Sequence, residues 1–127
     1  LAADGQAALE LLTAEGAQVD LVLSDVIMPR MNGQQLYRAV RELARGADLL
    51  IYDSQYTWEQ IRGPKSGWGH STWEEGTRVC EETGVKEFVL FHHDPDRNDD
   101  AVDALQKTAR VRFPNSRAAF EGMEIVL

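Results

Sequence analysis

Short apolar runs that end in a polar residue alternate along this chain with segments of helical periodicity. Three runs have this form, at residues 20–25, 48–53 and 87–92. Runs of this length and composition are typical of strands buried in a parallel sheet. We therefore expect an α/β fold in three layers, with a mostly parallel sheet and helices on both faces.

Apolar residues at helical spacing predict helices over residues 5–15, 34–45 and 99–112. A further helix is expected to begin at Ser71, because Glu74 follows three residues later as in a capping box, and to end at Gly84. A long loop rich in Gly and Trp is expected before His70. Residues 123–127 predict a terminal strand.

The ends of the predicted strands carry residues suited to chemistry. Asp25, Asp53 and His92 are each the last residue of a predicted strand. Ligands of open parallel sheets bind outside the carboxyl ends of the strands, so we expect these three side chains at one edge. His92 and His93 are adjacent and would point to opposite faces of a strand, and we expect His92 to be the one that enters a site.

The tryptophans and the cysteine allow more than one interpretation. Trp58, Trp68 and Trp73 could frame a pocket for an aromatic or base-like ligand, or they could pack over the edge of the sheet. Cys80 lies on the predicted inner face of its helix and is interpreted as a small core residue rather than a nucleophile. It is the only cysteine, so no internal disulfide can form.

The run from Asp25 to Gly33 joins a strand-end Asp to Met-Pro and Asn-Gly at a fixed spacing, and Ala-Asp-Gly precedes it at positions 3–5. On these residues, the segment 2–45 resembles the middle of a response-regulator receiver domain. The resemblance implies that Asp25 is a phosphoacceptor, a carboxylate that attacks a phosphoryl group with help from Mg²⁺. It also implies a sensor histidine kinase or another phosphodonor as partner.

A second group of motifs follows in the rest of the chain. It comprises Ala-Asp-Leu-Leu-Ile-Tyr-Asp at 47–53, Gly-Trp-Gly-His-Ser-Thr at 67–72, Leu-Phe-His-His-Asp-Pro at 90–95 and Glu-Gly-Met-Glu at 121–124. In this order, residues 47–127 resemble the carboxyl-terminal part of metallo-β-lactamase-fold hydrolases, near the ribonuclease Z and phosphodiesterase-like branch.

This second resemblance implies a role for each matching residue. His92 would be a metal ligand, His70 would assist proton transfer, and Asp53 would position His70. Zn²⁺ or Mn²⁺ is the implied cofactor, and Asp25 and Asp53 are further candidate ligands of a divalent metal. The His-x-His-x-Asp-His element that supplies most ligands of the family does not occur in this sequence. We therefore expect this chain by itself not to be an active enzyme.

Together the motifs predict one compact unit made of a receiver-like segment, 1–46, and a hydrolase-like segment, 47–127. The leading hypothesis is a receiver-type signalling module fused to a metallo-hydrolase remnant that is weakly active or inactive. The alternative is a metal-dependent, phosphodiesterase-like hydrolase fragment or an inert chimeric scaffold. The first residue, Leu1, is not an initiator Met, which suggests a fragment, a processed chain or an engineered fusion.

Composition limits the partners and the compartment. The formal net charge of −8 argues against a nucleic-acid backbone as the main partner. No apolar run approaches the roughly 20 residues that span a bilayer, so no membrane partner is expected. The single cysteine and the lack of a secretory-signal pattern make the cytoplasm the default location.

Overall fold

A computed structural model describes residues 33–126 of this chain, together with Glu10 and Ala14. The chain divides into two compact units, Leu1–Leu43 and Ala44–Leu127. Helix α1, Gly33–Ala44, belongs to the first unit except for its last residue and confirms the helix predicted over 34–45. The helix predicted over 5–15 and the strand predicted over 20–25 lie outside the described residues, apart from Glu10 and Ala14.

The second unit is built on a three-stranded parallel sheet in the order β1-β2-β3. Its elements are β1 (Leu49–Asp53), α2 (Trp58–Arg62), α3 (Trp73–Thr83), β2 (Glu87–Phe91), α4 (Asp99–Arg112) and β3 (Ser116–Ala118). Helix α3 packs on β1 and β2, while α4 packs on β3 and contacts α3. The predicted α/β class with a parallel sheet is confirmed. No helix in the described part of the chain is long and apolar enough to cross a membrane.

Helix α3 begins one residue later than predicted. Its N-cap is Thr72, whose side-chain oxygen accepts a hydrogen bond from the Glu75 N–H at 3.1 Å. The hydroxyl of Ser71, the predicted start, instead donates to the Tyr52 hydroxyl oxygen at 3.2 Å. Gly84 ends the helix as predicted, in the left-handed conformation with φ of 72°.

Two further elements differ from the prediction. Helix α2 lies in the predicted loop and begins with a complete capping box formed by Thr57 and Gln60, a pattern that is visible in the sequence and predicts a helix at this position. The last strand is β3 and not residues 123–127, since the described residues 123–126 form no strand. Strand β3 is only three residues long and buries only one of its side chains. A segment this short shows too little periodicity to be identified as a strand from sequence.

The core of the second unit lies between the sheet and α3. Phe88 and Leu90 of β2 and Val79 of α3 are fully buried. The contact between helix and sheet is closest at Gly76, where an added Cβ would lie 2.5 Å from Phe88 Cζ and 3.2 Å from Tyr52 Cδ1. The missing side chain of Gly76 therefore lets α3 approach the ring of Phe88.

Replacing Gly76 by Ala should destabilise the fold, because the new methyl group overlaps the Phe88 ring. Overpacking costs about 1–3 kcal/mol, and the better helix propensity of Ala returns only about 1 kcal/mol. We expect a net loss of up to roughly 2 kcal/mol in the free energy of unfolding, measured by urea denaturation. In a Phe88→Leu background the same Gly76→Ala change should cost less. An equal cost in both backgrounds would contradict the proposed overlap.

Cys80 lies in the core, as expected, with 1% of its surface exposed. Burial, with a smaller effect of Glu81, raises the pKa of the Cys80 thiol to about 12. An unfolded thiol has a pKa of about 8.5. Between these two values the unfolded chain releases a proton that the folded chain keeps, so the free energy of unfolding should fall as pH rises.

The variant Cys80→Ala should therefore show a shallower loss of stability between pH 8 and pH 10.5 than the unaltered chain, in urea denaturation at each pH. Burial also raises the pKa of Tyr52, so part of the dependence of the free energy of unfolding on pH should remain in Cys80→Ala. Tyr52→Phe serves as the control for that part. Identical slopes with and without Cys80 would contradict the raised pKa of the thiol in the folded state.

Candidate functional site

The candidate site forms at the carboxyl edge of the sheet, where β1 and β2 end. Asp53, the last residue of β1, is opposite Phe91, the last residue of β2. The strand predicted to end at His92 therefore ends one residue earlier, at Phe91. His92 follows directly and has a φ of 61°, in the left-handed region that non-glycine residues adopt rarely and that does not continue an extended strand. Strand pairing and this turn bring His92 beside Asp53, at the edge where ligands of parallel sheets bind.

His70 reaches the same edge from the loop between α2 and α3. Gly67 and Gly69 have φ values of 77° and 86°, which favour glycine. The loop then pairs with the segment after β1, since the Tyr56 N–H donates to the Ser71 oxygen at 3.1 Å. This backbone contact returns the chain to the end of β1 and places His70 next to Asp53.

The three side chains form a compact cluster. His70 Nδ1 lies 2.9 Å from Asp53 Oδ2, and His92 Nδ1 lies 4.0 Å from Asp53 Oδ1. The two imidazole rings stack, with centroids 4.7 Å apart and an interplanar angle of 19°. Exposure of the side chains increases from 16% for Asp53 through 32% for His70 to 48% for His92, so the cluster opens to solvent on the His92 side.

The Asp53 carboxylate also fixes the protonation of His70. Its Oδ1 accepts a hydrogen bond from the Gln55 N–H at 3.0 Å, which holds the carboxylate against its own backbone. Because an ionised carboxylate only accepts, the proton in the short contact lies on Nδ1 of His70. Nε2 of the neutral His70 ring is then the basic nitrogen, available to a proton or a metal ion.

The donor set fits a divalent metal ion. One ligand atom from each of Asp53, His70 and His92 lies within 4.8 Å of the others. Two imidazoles and one carboxylate are ligands that Zn²⁺ accepts, and the same set suits other divalent transition metals. The partial exposure of His92 leaves a path for an ion to enter.

His93 lies apart from the cluster. Its Nε2 is 3.0 Å from the Ala119 carbonyl oxygen, next to β3, and its Nδ1 is buried without a hydrogen-bond partner. A carbonyl oxygen only accepts, so the proton of His93 lies on Nε2. Of the two adjacent histidines, the structure brings His92 and not His93 to Asp53.

The remaining predicted site residue is Asp25, which lies outside the described residues. Its expected convergence with Asp53 and His92, its role as phosphoacceptor and the associated Mg²⁺ site therefore stay predictions. One residue at the site was not predicted from sequence: Tyr56, whose ring meets the His70 ring edge-on, with centroids 5.7 Å apart and an interplanar angle of 80°. That contact depends on the return of a loop, which local periodicity does not reveal.

The fold and the cluster together define an α/β unit with a carboxylate–histidine cluster that could hold a metal ion at the carboxyl edge of a parallel sheet. Comparisons with known proteins relate this unit to ribonuclease Z. The chain is 36% identical over 87 residues to ribonuclease Z of Brevibacillus brevis and 34% identical over 86 residues to that of Bacillus subtilis. These matches cover 65% and 68% of this chain.

A longer match is found with ribonuclease Z of Ignicoccus hospitalis, 31% identical over 118 residues and 93% of this chain. The chain spans 27%, 28% and 36% of the lengths of these three relatives. It matches no protein-family model.

The comparisons bear differently on the two resemblances drawn from sequence. Similarity to ribonuclease Z supports the hydrolase-like resemblance. A match over 93% of the chain also includes most of residues 1–46, the segment with receiver-like motifs. The receiver resemblance gains no support from these relatives. The chain is therefore best described as similar to a fragment of a metallo-β-lactamase-fold hydrolase.

The geometry predicts opposite tautomers for two histidines. At a pH where both rings are neutral, long-range ¹H–¹⁵N correlation spectra should show His70 protonated on Nδ1 and His93 protonated on Nε2. Asp53→Asn removes the ionised acceptor, so the Nδ1-protonated form of His70 should lose population. The His93 pattern should not change in that variant. A His70 ring that keeps its tautomer in Asp53→Asn would contradict positioning by the carboxylate.

Proposed function

We propose that this chain carries the carboxyl-terminal part of a divalent-metal-dependent hydrolase site of the metallo-β-lactamase fold, with phosphodiesters as the substrate class. The observation that carries the proposal is the cluster of Asp53, His70 and His92 at the carboxyl edge of the sheet. The names of the relatives, all ribonuclease Z, support the substrate class.

In this proposal His92 is a metal ligand. It is the most exposed member of the cluster, and its nearest contact with Asp53, at 4.0 Å, is too long for a hydrogen bond. A ring nitrogen of His92 is therefore available for coordination. When bound, the metal ion would polarise a phosphoryl oxygen and offset the negative charge that develops during hydrolysis.

Asp53 and His70 form the proton-transfer pair of the proposed site. The carboxylate holds Nδ1–H of His70 and so directs the basic Nε2 away from β1. An imidazole oriented in this way can accept or release a proton at Nε2. Stacking on the His92 ring keeps His70 close to the metal ligand. Asp53 acts here as a positioning residue, because its oxygens are occupied by His70 and by the Gln55 N–H.

A catalytic zinc site commonly has three protein ligands. If His70 serves proton transfer, the described cluster supplies fewer than three ligands. The remaining ligands would correspond to parts of the longer relatives that this chain does not span. We therefore expect the chain alone to bind metal more weakly than a complete site and to hydrolyse phosphodiesters slowly or not at all. Receiver-type signalling through Asp25 stays a separate prediction, because Asp25 lies outside the described residues.

Titration calorimetry with Zn²⁺ and with Mn²⁺ tests the metal site without relying on activity. The unaltered chain should bind one ion, and His92→Ala should lower the affinity at least about tenfold through loss of a ligand. Asp53→Asn, which removes the group orienting His70, should weaken binding by roughly 10–100-fold if His70 also coordinates the ion.

His93→Ala is the matched control, because it removes the neighbouring histidine that lies outside the cluster. It should bind Zn²⁺ like the unaltered chain, with circular dichroism used to verify that each variant is folded. An affinity that His92→Ala leaves unchanged, or that His93→Ala lowers equally, would refute the proposed site.

A further inference from the structure

The loop that carries His70 differs in charge from the rest of the chain. The protein has a net charge of −8, yet no acidic residue occurs between Glu59 and Glu74. Arg62 and Lys65 lie in the same interval. This side of the candidate site is therefore locally positive, and a positive segment beside a phosphodiester site favours an anionic ligand.

Lys65 is placed between two aromatic rings. Its Nζ lies 4.2 Å from the centroid of the Trp68 ring and 5.4 Å from that of Tyr56. Among the described residues it forms no ion pair with a carboxylate. Cation–π contacts orient an ammonium group without neutralising its charge. The charge of Lys65 thus stays available to an anion.

Trp68 is exposed to an extent that the core does not explain. Its surface is 60% exposed, whereas Trp73 is 8% exposed and packs in the core. Gly67 and Gly69, both with positive φ, flank Trp68 and carry no side chains that could cover the ring. The Lys65 ammonium lies over one face of the indole, so the opposite face can accept a flat ring by stacking.

The Lys65–Trp68 surface, defined by these two side chains, is linked to the candidate site through one buried ring. Tyr56 connects them, since its buried ring meets His70 edge-on and also lies under the Lys65 ammonium. Trp68 precedes His70 by two residues. A ligand on this surface would therefore extend toward the cluster of Asp53, His70 and His92.

We propose that the Lys65–Trp68 surface binds a nucleotide, with the base stacked on Trp68 and a phosphate oxygen paired with Lys65. The proposal rests on the proposed function and adds to it a ligand-binding surface beside the cluster. An exposed indole beside an unpaired ammonium suits a ligand that is both flat and anionic. Inorganic phosphate lacks the ring and a nucleoside lacks the charge, so each should use only half of the surface.

Binding of adenosine 5′-monophosphate to the 127-residue chain tests this inference, with calorimetry performed in EDTA so that no metal contributes. The nucleotide should bind more tightly than either adenosine or inorganic phosphate. Trp68→Ala should lower the nucleotide affinity roughly five- to 100-fold through loss of stacking. Lys65→Gln should weaken binding of the nucleotide but not of adenosine, and raised salt should have the same effect.

Two substitutions serve as controls of matched chemistry. Phe120→Ala removes another exposed aromatic ring, and Lys86→Gln removes an exposed ammonium that pairs with Asp48 at the opposite end of the sheet. Neither should change the nucleotide affinity. The inference is overturned if Trp68→Ala binds the nucleotide as well as the unaltered chain does. It is also overturned if the nucleotide binds no better than adenosine and phosphate.

Zinc titration of the same variants separates this inference from the proposed function. Trp68→Ala and Lys65→Gln should keep the zinc affinity of the unaltered chain, while His92→Ala should lose zinc and keep the nucleotide. Zinc binding without nucleotide binding would overturn the inference alone. Nucleotide binding that depends on Trp68, without zinc binding, would leave the surface established and remove the proposed metal site.

Discussion

The parallel pairing of β1 with β2 is the constraint on which the candidate site depends. Its register places Asp53 opposite Phe91, so that the next residue, His92, emerges beside the carboxylate. A shift of one residue would turn each side chain of a strand to the other face of the sheet. Both faces of β2 are buried, with Phe88 and Leu90 on one face and Val89 on the other, so such a shift would exchange side chains of different size between two packed surfaces. The register that packs the core is thus the register that assembles the cluster.

Asp53, at the end of a sheet strand, fixes the orientation of His70, which lies on a loop. One oxygen is held by the Gln55 N–H and the other holds His70, so a ring carried on a glycine-flanked loop is oriented by a residue of β1. Sites need such support, because a side chain on a loop is otherwise less precisely placed than one on a strand or helix. The stacked rings of His70 and His92 extend this order to the more exposed edge of the cluster.

The distribution of charge modifies an expectation drawn from the net charge. A value of −8 argues against nucleic acid as a partner when the charge is taken as uniform. The acidic residues are absent between Glu59 and Glu74, however, and that interval contains Arg62, Lys65 and the candidate histidine. Segregation of charge allows an acidic protein to present a locally positive surface. The expectation of no nucleic-acid partner stays a prediction, and the relatives named ribonuclease Z supply a reason to test it.

The sequence by itself determined the α/β class, the strand that ends at Asp53, the strand that begins at Glu87, and the helices that end at Gly84 and begin after Asn98. These follow from local periodicity and capping, which a few neighbouring residues encode. The sequence also led us to expect Asp53 beside His70, and His92 rather than His93 in the site. Only the tertiary structure gave the contact between His70 and Asp53 and the position of Lys65 between Tyr56 and Trp68. The physical reason is that the contacts of His70 and Lys65 require a loop to return to the end of β1, and the pairing of Tyr56 with Ser71 that returns it joins residues distant in sequence.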